Sequence, residues 1–238
     1  MPEVLQAGPL MIRTSWLLLA LAAIAGYLLV RWKLNKVGDK GRELPDLIGN
    51  AILIILMTWK LSPAIFNPSV LWTNPASLLF VNGSGKGLWL GLGLALVYLE
   101  AARRKRGIDR PFLLDTMAYW AGLIAVVYYL FIWQYGKATE WPWGIAVGYS
   151  NYRYHPVNLY IVLILLPSYI WMWRKGGRLG SGKLFSHFLT FYGIALLAGS
   201  FFRVNDPLWA GLTAEQLLAT GMALAGVLAF PQSKEKTS

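Results

Sequence analysis

The chain has 238 residues, is 56% hydrophobic and only 14% charged, and carries a net charge of +11. A soluble domain of this size would hold about 25% charged residues, so the composition is that of a chain surrounded by lipid. There is no cysteine and there are two histidines, which excludes disulfides, thiolate metal sites and thiol redox chemistry; no metal and no cofactor is expected.

Seven apolar stretches follow in order, over about 15–32, 47–61, 86–101, 113–135, 156–173, 184–202 and 216–230. A helix needs about 20 mostly apolar residues to span the hydrocarbon core, so each is a candidate span. The first lacks a cationic stretch before it and a small-residue cleavage site after it, and so reads as a retained helix rather than a signal peptide. The connections alternate in charge. Residues 31–42 and 103–110 carry five Lys and Arg each, 174–183 carry four, and the tail adds Lys234 and Lys236. The other side holds six of the 22 cations, namely Arg13, Lys60, Lys86, Lys137, Arg153 and Arg203. Basic loops stay in the cytoplasm. The pattern predicts an all-α membrane protein of one domain over 1–238, with seven transmembrane helices, the N-terminus outside and the C-terminus cytoplasmic. Cations that border apolar segments meet anionic headgroups, so the charge does not imply nucleic acid.

Trp16, Trp32, Trp133, Trp141, Trp143, Trp171, Trp173 and Trp209 lie near segment ends, where an amphipathic ring is partly solvated. Gly91, Gly93, Gly221 and Gly226 are expected to let helices approach closely. Two long outer loops are expected, 66–85 and 136–155. The first is rich in Pro, Asn, Ser and Gly yet contains an apolar patch over 78–81, so it either lies in the interface or dips into the protein.

Charged residues at helix ends are expensive in lipid and default to function. On the outer side these are Arg13, Lys86, Arg153, His155 and Arg203, with Asp206 spaced to pair with Arg203. Each also has a structural reading. Arg13 and Arg203 could snorkel, Lys86 could be a solvated loop residue, His155 could cap a helix, and Asp206 could belong to a turn. His187 and Asp115 read as structural, the latter suited to a helix N-terminus. Guanidinium groups match phosphate oxygens bidentately, and a neutral imidazole beside them can act as a base. With Tyr152, Tyr154 and Tyr160 nearby in sequence, the pattern describes an outer-leaflet site for a phospholipid or another anion. Transport is disfavoured because no acidic residue falls in mid-helix, and a retinal protein because the last segment has no lysine.

Three stretches resemble the prolipoprotein diacylglyceryl transferase family. Gly8-Pro9-Leu10-Met11-Ile12-Arg13 resembles its G-P-x-x-I-R or H segment, and Tyr154-His155-Pro156-Val157-Asn158-Leu159-Tyr160 its R-H-P-x-x-L-Y-E. Tyr192-Gly193, Phe201-Phe202-Arg203-Val204-Asn205-Asp206 and Gly211-Leu212-Thr213-Ala214-Glu215-Gln216-Leu217-Leu218 resemble its Y-G, F-F-R-x-x-D and L-T/S-x-x-Q-L-L. The resemblance implies a bacterial plasma-membrane enzyme that moves diacylglyceryl from phosphatidylglycerol to the lipobox cysteine of a preprolipoprotein. A thioether forms and glycerol phosphate leaves. On this reading His155, Arg203 and Tyr160 are catalytic, as base or orienting group, phosphate clamp and hydroxyl; Arg13, Lys86, Arg153 and Asp206 bind substrate.

The departures are as informative. The family loop before its third helix ends in G-G-x-S-x-H-G-G, whereas Leu88 stands about where the histidine would be. The G-R-x-G-N-F-x-N-x-E signature is absent near Leu130-Phe131-Ile132-Trp133-Gln134-Tyr135-Gly136. The glutamate after L-Y is Ile161, an Arg and a Glu of helix six are Leu196 and Ser200, and the W-Y after Arg13 is Thr14-Ser15. Two further readings follow from these losses: a non-catalytic relative that binds a phospholipid or membrane partner, and a transferase with an altered lipid or acceptor.

Overall fold

The structure is a computed structural model that describes residues 4–7, 10–35, 39–75, 77–80, 83–147, 152–174 and 179–229. The side chains of 4–13, 15–16, 39–42 and 79–80 are outside that description, as are Gly8, Pro9, Asn82, Lys234 and Lys236. Two short antiparallel strands, β1 (Val4–Ala7) and β2 (Leu10–Arg13), open the chain. They lead into α1 (Thr14–Leu34) and α2 (Asp39–Lys60). Three short helices follow, α3 (Ser62–Phe66), α4 (Val70–Thr73) and α5 (Ser77–Phe80), then α6 (Gly85–Lys105) and α7 (Arg110–Phe131). Strands β3 (Tyr135–Thr139), β4 (Ile145–Ala146) and β5 (Arg153–Pro156) form an antiparallel sheet in the order β3-β5-β4. The helices α8 (Val157–Arg174), α9 (Lys183–Ser200) and α10 (Ala214–Leu228) complete the chain.

Each of the seven apolar stretches falls on one long helix, and the molecule is mostly helical. Among the described residues, three helices are long and apolar enough to cross a membrane, over Leu17–Leu34, Arg110–Phe131 and Val157–Arg174. The all-α expectation is corrected by the two small sheets. The loop expected at 136–155 contains three short strands, in which Tyr135–Thr139 and Arg153–Pro156 satisfy one another's backbone groups. The loop expected at 66–85 contains α4 and α5 and ends in the first residue of α6.

The chain divides into two compact units, Met1–Val30 with Arg110–Ser238, and Arg31–Asp109. In the second, α2 and α6 pack through glycine. A Cβ on Gly87 would lie 2.2 Å from that of Ser62, and one on Gly91 3.0 Å from the Ile55 Cα. Ser62 also fixes the start of α6. Its Oγ accepts from the Ser84 backbone N at 2.7 Å, while the Ser84 side chain caps the helix by accepting from Gly87 N. Arg106 pairs with Glu43 at 2.9 Å.

In the first unit, Gly26 of α1 admits the Trp120 ring of α7, whose Nε1 donates to Ala23 O at 3.0 Å. The core gathers Val126, Tyr129, Val157, Ile161, Leu165 and Ala195 from α7, α8 and α9. Asp115, fully buried on α7, accepts backbone N–H bonds from Gly180, Gly182 and Phe185 at 2.9–3.0 Å. It suits a helix N-terminus as expected, but the helix is α9 rather than its own: three orphan donors at that end find one carboxylate. His187 is structural too, with Ser168 Oγ at 3.0 Å and the Trp171 ring stacked at 4.1 Å, tying α9 to α8.

Helices α9 and α10 meet at Gly193 and Gly226, where added Cβ atoms would lie 2.5 Å from Ala223 N and 2.4 Å from Thr190 Oγ1. The Ser186 hydroxyl donates to the buried carbonyl of Gly226 at 2.6 Å. Of the four glycines singled out in the sequence, Gly91 and Gly226 make close approaches; Gly93 and Gly221 have nothing within 4 Å of an added Cβ. Gly226→Val is therefore expected to destabilise the protein by about 1–3 kcal/mol through overpacking. Gly221→Ala leaves Tm unchanged or slightly raised. Thermal unfolding of the two variants in one detergent checks the contrast.

Candidate functional site

The end of α9 and the start of α10 are joined by an irregular segment with a sharp reversal. Ala210 and Gly211 both take positive φ, 51° and 76°. The backbone of Trp209 and Leu212 exchanges hydrogen bonds across that reversal. Ala210 is a non-glycine residue in left-handed backbone, which is uncommon and costs energy. The reversal returns the first turn of α10 to Arg203. That turn is firmly set: Thr213 and Gln216 form a capping box, each side chain accepting from the other's backbone N.

Arg203 is about one-fifth exposed. Its Nη1 donates to Glu215 Oε1 and its Nη2 to Gln134 Oε1, both in short contacts. Asn205 Nδ2 donates to the other Glu215 oxygen at 3.0 Å. The carboxylate on Arg203 is thus Glu215, and the pairing expected with Asp206 is corrected. Asp206 is exposed on the near side of the reversal, whereas Glu215 comes back to the guanidinium from its far side. An ion pair at this depth lies between a surface pair, worth about 0–1 kcal/mol, and a buried one, whose breakage costs about 3–5 kcal/mol.

Gln134 is placed by the turn after α7. The Gln134 carbonyl accepts from Val157 N at 3.0 Å, and its N donates to the buried Asn158 Oδ1 at 3.3 Å. Asn158 Nδ2 in turn donates to the Tyr129 carbonyl. Three residues further, Lys137 N donates to the Phe202 carbonyl at 2.7 Å and Lys137 Nζ to that of Phe201 at 3.1 Å. Gly136 makes that approach possible, since a Cβ there would lie 2.2 Å from Phe202 O. These ties produce a cleft of about 200 Å³ whose polar lining is Lys137, Ser200, Arg203, Asn205, Thr213 and Gln216. It is smaller than the roughly 300–1,000 Å³ of ordinary small-molecule sites, with room for a headgroup-sized group and not for a whole lipid.

His155 forms a second cluster. Its Nδ1 lies 2.9 Å from the Tyr160 hydroxyl, which accepts from Trp143 Nε1 at 3.0 Å. The Trp141 and Phe202 rings stand 5.6 and 4.8 Å from the imidazole. Burial, with the Lys137 charge as a second cause, pushes the His155 pKa below its ordinary value, favouring the neutral imidazole.

The structure thus joins His155 to Tyr160, and places Arg203 in a cleft whose second cation is Lys137. Among the described residues, His155 is not in the lining of the Arg203 cleft and sits against Phe202 instead. Arg153 donates to the Pro142 carbonyl at 3.2 Å and ties β5 to the β3–β4 connection. Lys86 is exposed on α6 in the other compact unit. For Arg13 only the backbone, paired with Val4, is described. Sequence reasoning missed Lys137, Gln134 and Glu215. Gln134 stands beside the missing G-R-x-G-N signature and Glu215 in an open position of L-T/S-x-x-Q-L-L, so both were visible as residues but not as partners.

The fold and site define a class, a membrane protein of apolar helices with a cleft walled by an arginine and a lysine. Comparison with known proteins is more specific. The model of the prolipoprotein diacylglyceryl transferase family matches residues 2–231. Proteins named phosphatidylglycerol–prolipoprotein diacylglyceryl transferase are similar along nearly their whole length. That of Geobacter sulfurreducens is 29% identical over 97% of this chain and 90% of its own. Those of Wolbachia pipientis wMel and Solidesulfovibrio magneticus are 26% and 28% identical over 96% and 95% of this chain, and 93% and 92% of their own. The chain belongs to the prolipoprotein diacylglyceryl transferase family.

The lowered pKa of His155 has a measurable consequence. Its folded form binds fewer protons than the unfolded chain, so its contribution to stability is complete above the ordinary value of about 6.5. That contribution is lost as pH falls from there toward the lowered folded value. Wild-type Tm is expected to drop over this window, and His155→Gln to flatten the drop; melting curves across it check the difference.

Proposed function

We propose that this protein is a membrane transferase that moves diacylglyceryl from phosphatidylglycerol to the lipobox cysteine of a preprolipoprotein. The observation that carries the reading is the cleft at Arg203, where a guanidinium positioned by Gln134 and Glu215 faces a phosphate-sized space beside Lys137. Family membership supports it. In this reading seven helices cross the bacterial plasma membrane, with the N-terminus outside and the cleft at the outer leaflet. The positive-inside distribution of Lys and Arg supports that orientation.

The reaction needs a thiolate, because the thiolate is the nucleophile. It attacks the glycerol carbon that bears the phosphate ester, a C–S bond forms, the C–O bond breaks, and its electron pair leaves on glycerol phosphate. Arg203 takes the charge of that leaving phosphate, where a fixed cation in a water-poor site stabilises the transition state most. His155, favoured in its neutral form and hydrogen-bonded to Tyr160, is assigned the proton of the thiol. Arg13, Lys86, Arg153 and Asp206 are assigned to substrate contact. The acceptor and lipid are separate substrates, and no cofactor enters the balance.

The test is complementation. The wild-type gene is expected to rescue a strain depleted of its own diacylglyceryl transferase and to restore thioether-linked lipid on a lipobox protein, read by mass spectrometry. Arg203→Ala is expected to lose about two to three orders of magnitude of activity, the usual effect of removing one charge-stabilising donor. Lipid binding without rescue or thioether product would instead assign the chain to the non-catalytic relatives.

A further inference from the structure

We infer that Glu215 is an exchangeable counter-ion that occupies Arg203 between turnovers, so that phosphate enters the cleft by displacing it and the phosphate product is expelled by its return. The inference rests on the phosphate-handling reading above and gives Glu215 a role beyond positioning Arg203. Three observations carry it. First, both Nη atoms of Arg203 are engaged, one by Glu215 and one by Gln134. A guanidinium has five N–H groups and a bidentate grip on phosphate uses two of them in parallel, so a ligand that grips the edge already held competes with the partner there. Gln134 is neutral and anchored through its backbone to Val157 and Asn158; Glu215 is the partner whose charge opposes an incoming phosphate. Second, the displaced carboxylate has somewhere to stay. Asn205 Nδ2 already holds its other oxygen at 3.0 Å, and the first turn of α10 favours negative charge. Third, the cleft holds a second cation, Lys137, so a doubly charged ligand gains from both walls once Glu215 has swung aside.

The chemistry gives the exchange a purpose. The phosphodiester of the lipid carries one negative charge, whereas a leaving phosphomonoester carries about −1.5 to −2 near pH 7. Two cations without a competitor would hold the product more tightly than the substrate. A carboxylate tethered beside the guanidinium weakens both, and the doubly charged product more. The family pattern L-T/S-x-x-Q-L-L does not specify the residue at the position of Glu215.

Binding of glycerol 1-phosphate to the purified full-length protein in detergent tests this by titration calorimetry, with inorganic phosphate as a second probe. Glu215→Gln and Glu215→Ala are expected to bind glycerol 1-phosphate about tenfold more tightly than wild type. Glu215→Asp, which keeps the charge, should stay within about twofold. Arg203→Ala should abolish binding in every background. In steady-state transfer, Glu215→Gln should lower KM for phosphatidylglycerol and lower kcat, with stronger inhibition by the product. Equal or weaker binding by both uncharged variants, each with wild-type melting behaviour, overturns the inference. The two readings separate cleanly: tighter binding without any diacylglyceryl transfer removes the transferase reading and leaves the exchange standing, and transfer without tighter binding does the reverse.

Discussion

The contact on which the site depends is the grip of Arg203 on Glu215 and Gln134. It joins three places far apart in sequence: the exit from α9, the entry to α10 and the turn after α7. A guanidinium left without these partners at this depth would face a desolvation cost of several kcal/mol. The surrounding structure is arranged so that it never does. Asn158 and Val157 hold Gln134, the capping box of Thr213 and Gln216 fixes the turn that carries Glu215, and the reversal at Ala210 and Gly211 brings that turn back. The left-handed Ala210 is strain spent on this closure. The same bonds leave Lys137 and Arg203 on the walls of one cleft.

Helix α9 is the element through which the site and core communicate. At its start the buried Asp115 collects the backbone donors of Gly180, Gly182 and Phe185; along its length His187, Gly193 and Gly199 set its distance from α8 and α10. With no hydrophobic drive between helices in lipid, close backbone approach and buried hydrogen bonds carry the packing. A helix held at its start and along two faces delivers its last residues, Ser200 to Arg203, to a defined place.

Much of the fold was legible because apolar length is a strong signal. All seven stretches became helices, though their ends moved: α2 begins at Asp39, where polar residues extend a helix beyond its apolar part. The sheet β3-β5-β4 was hidden because its strands are two to five residues long and alternate poorly. At the site, His155, Tyr160 and Arg203 stood out by residue type and motif, and two of them do meet. Partner choice was not legible. Asp206 is three positions from Arg203 and looked like its counter-ion, but a reversal of the chain put Glu215 there, twelve positions on. Lys137 read as one more loop cation until the backbone of Phe201 and Phe202 drew it to the cleft. The family motifs marked which stretches mattered, while Gln134 and Glu215 fell in or beside positions the motifs leave open or that this chain has lost.

The account reduces to a phosphate taken up at Arg203 while a thiol replaces it on the lipid. Phosphorus NMR of the purified protein with phosphatidylglycerol and a lipobox-cysteine peptide follows that event directly. The account predicts a glycerol phosphate resonance that grows in step with thioether product and that Arg203→Ala suppresses by at least about a hundredfold. Headgroup release that proceeds equally well in Arg203→Ala, or none from the folded wild-type protein, would contradict it.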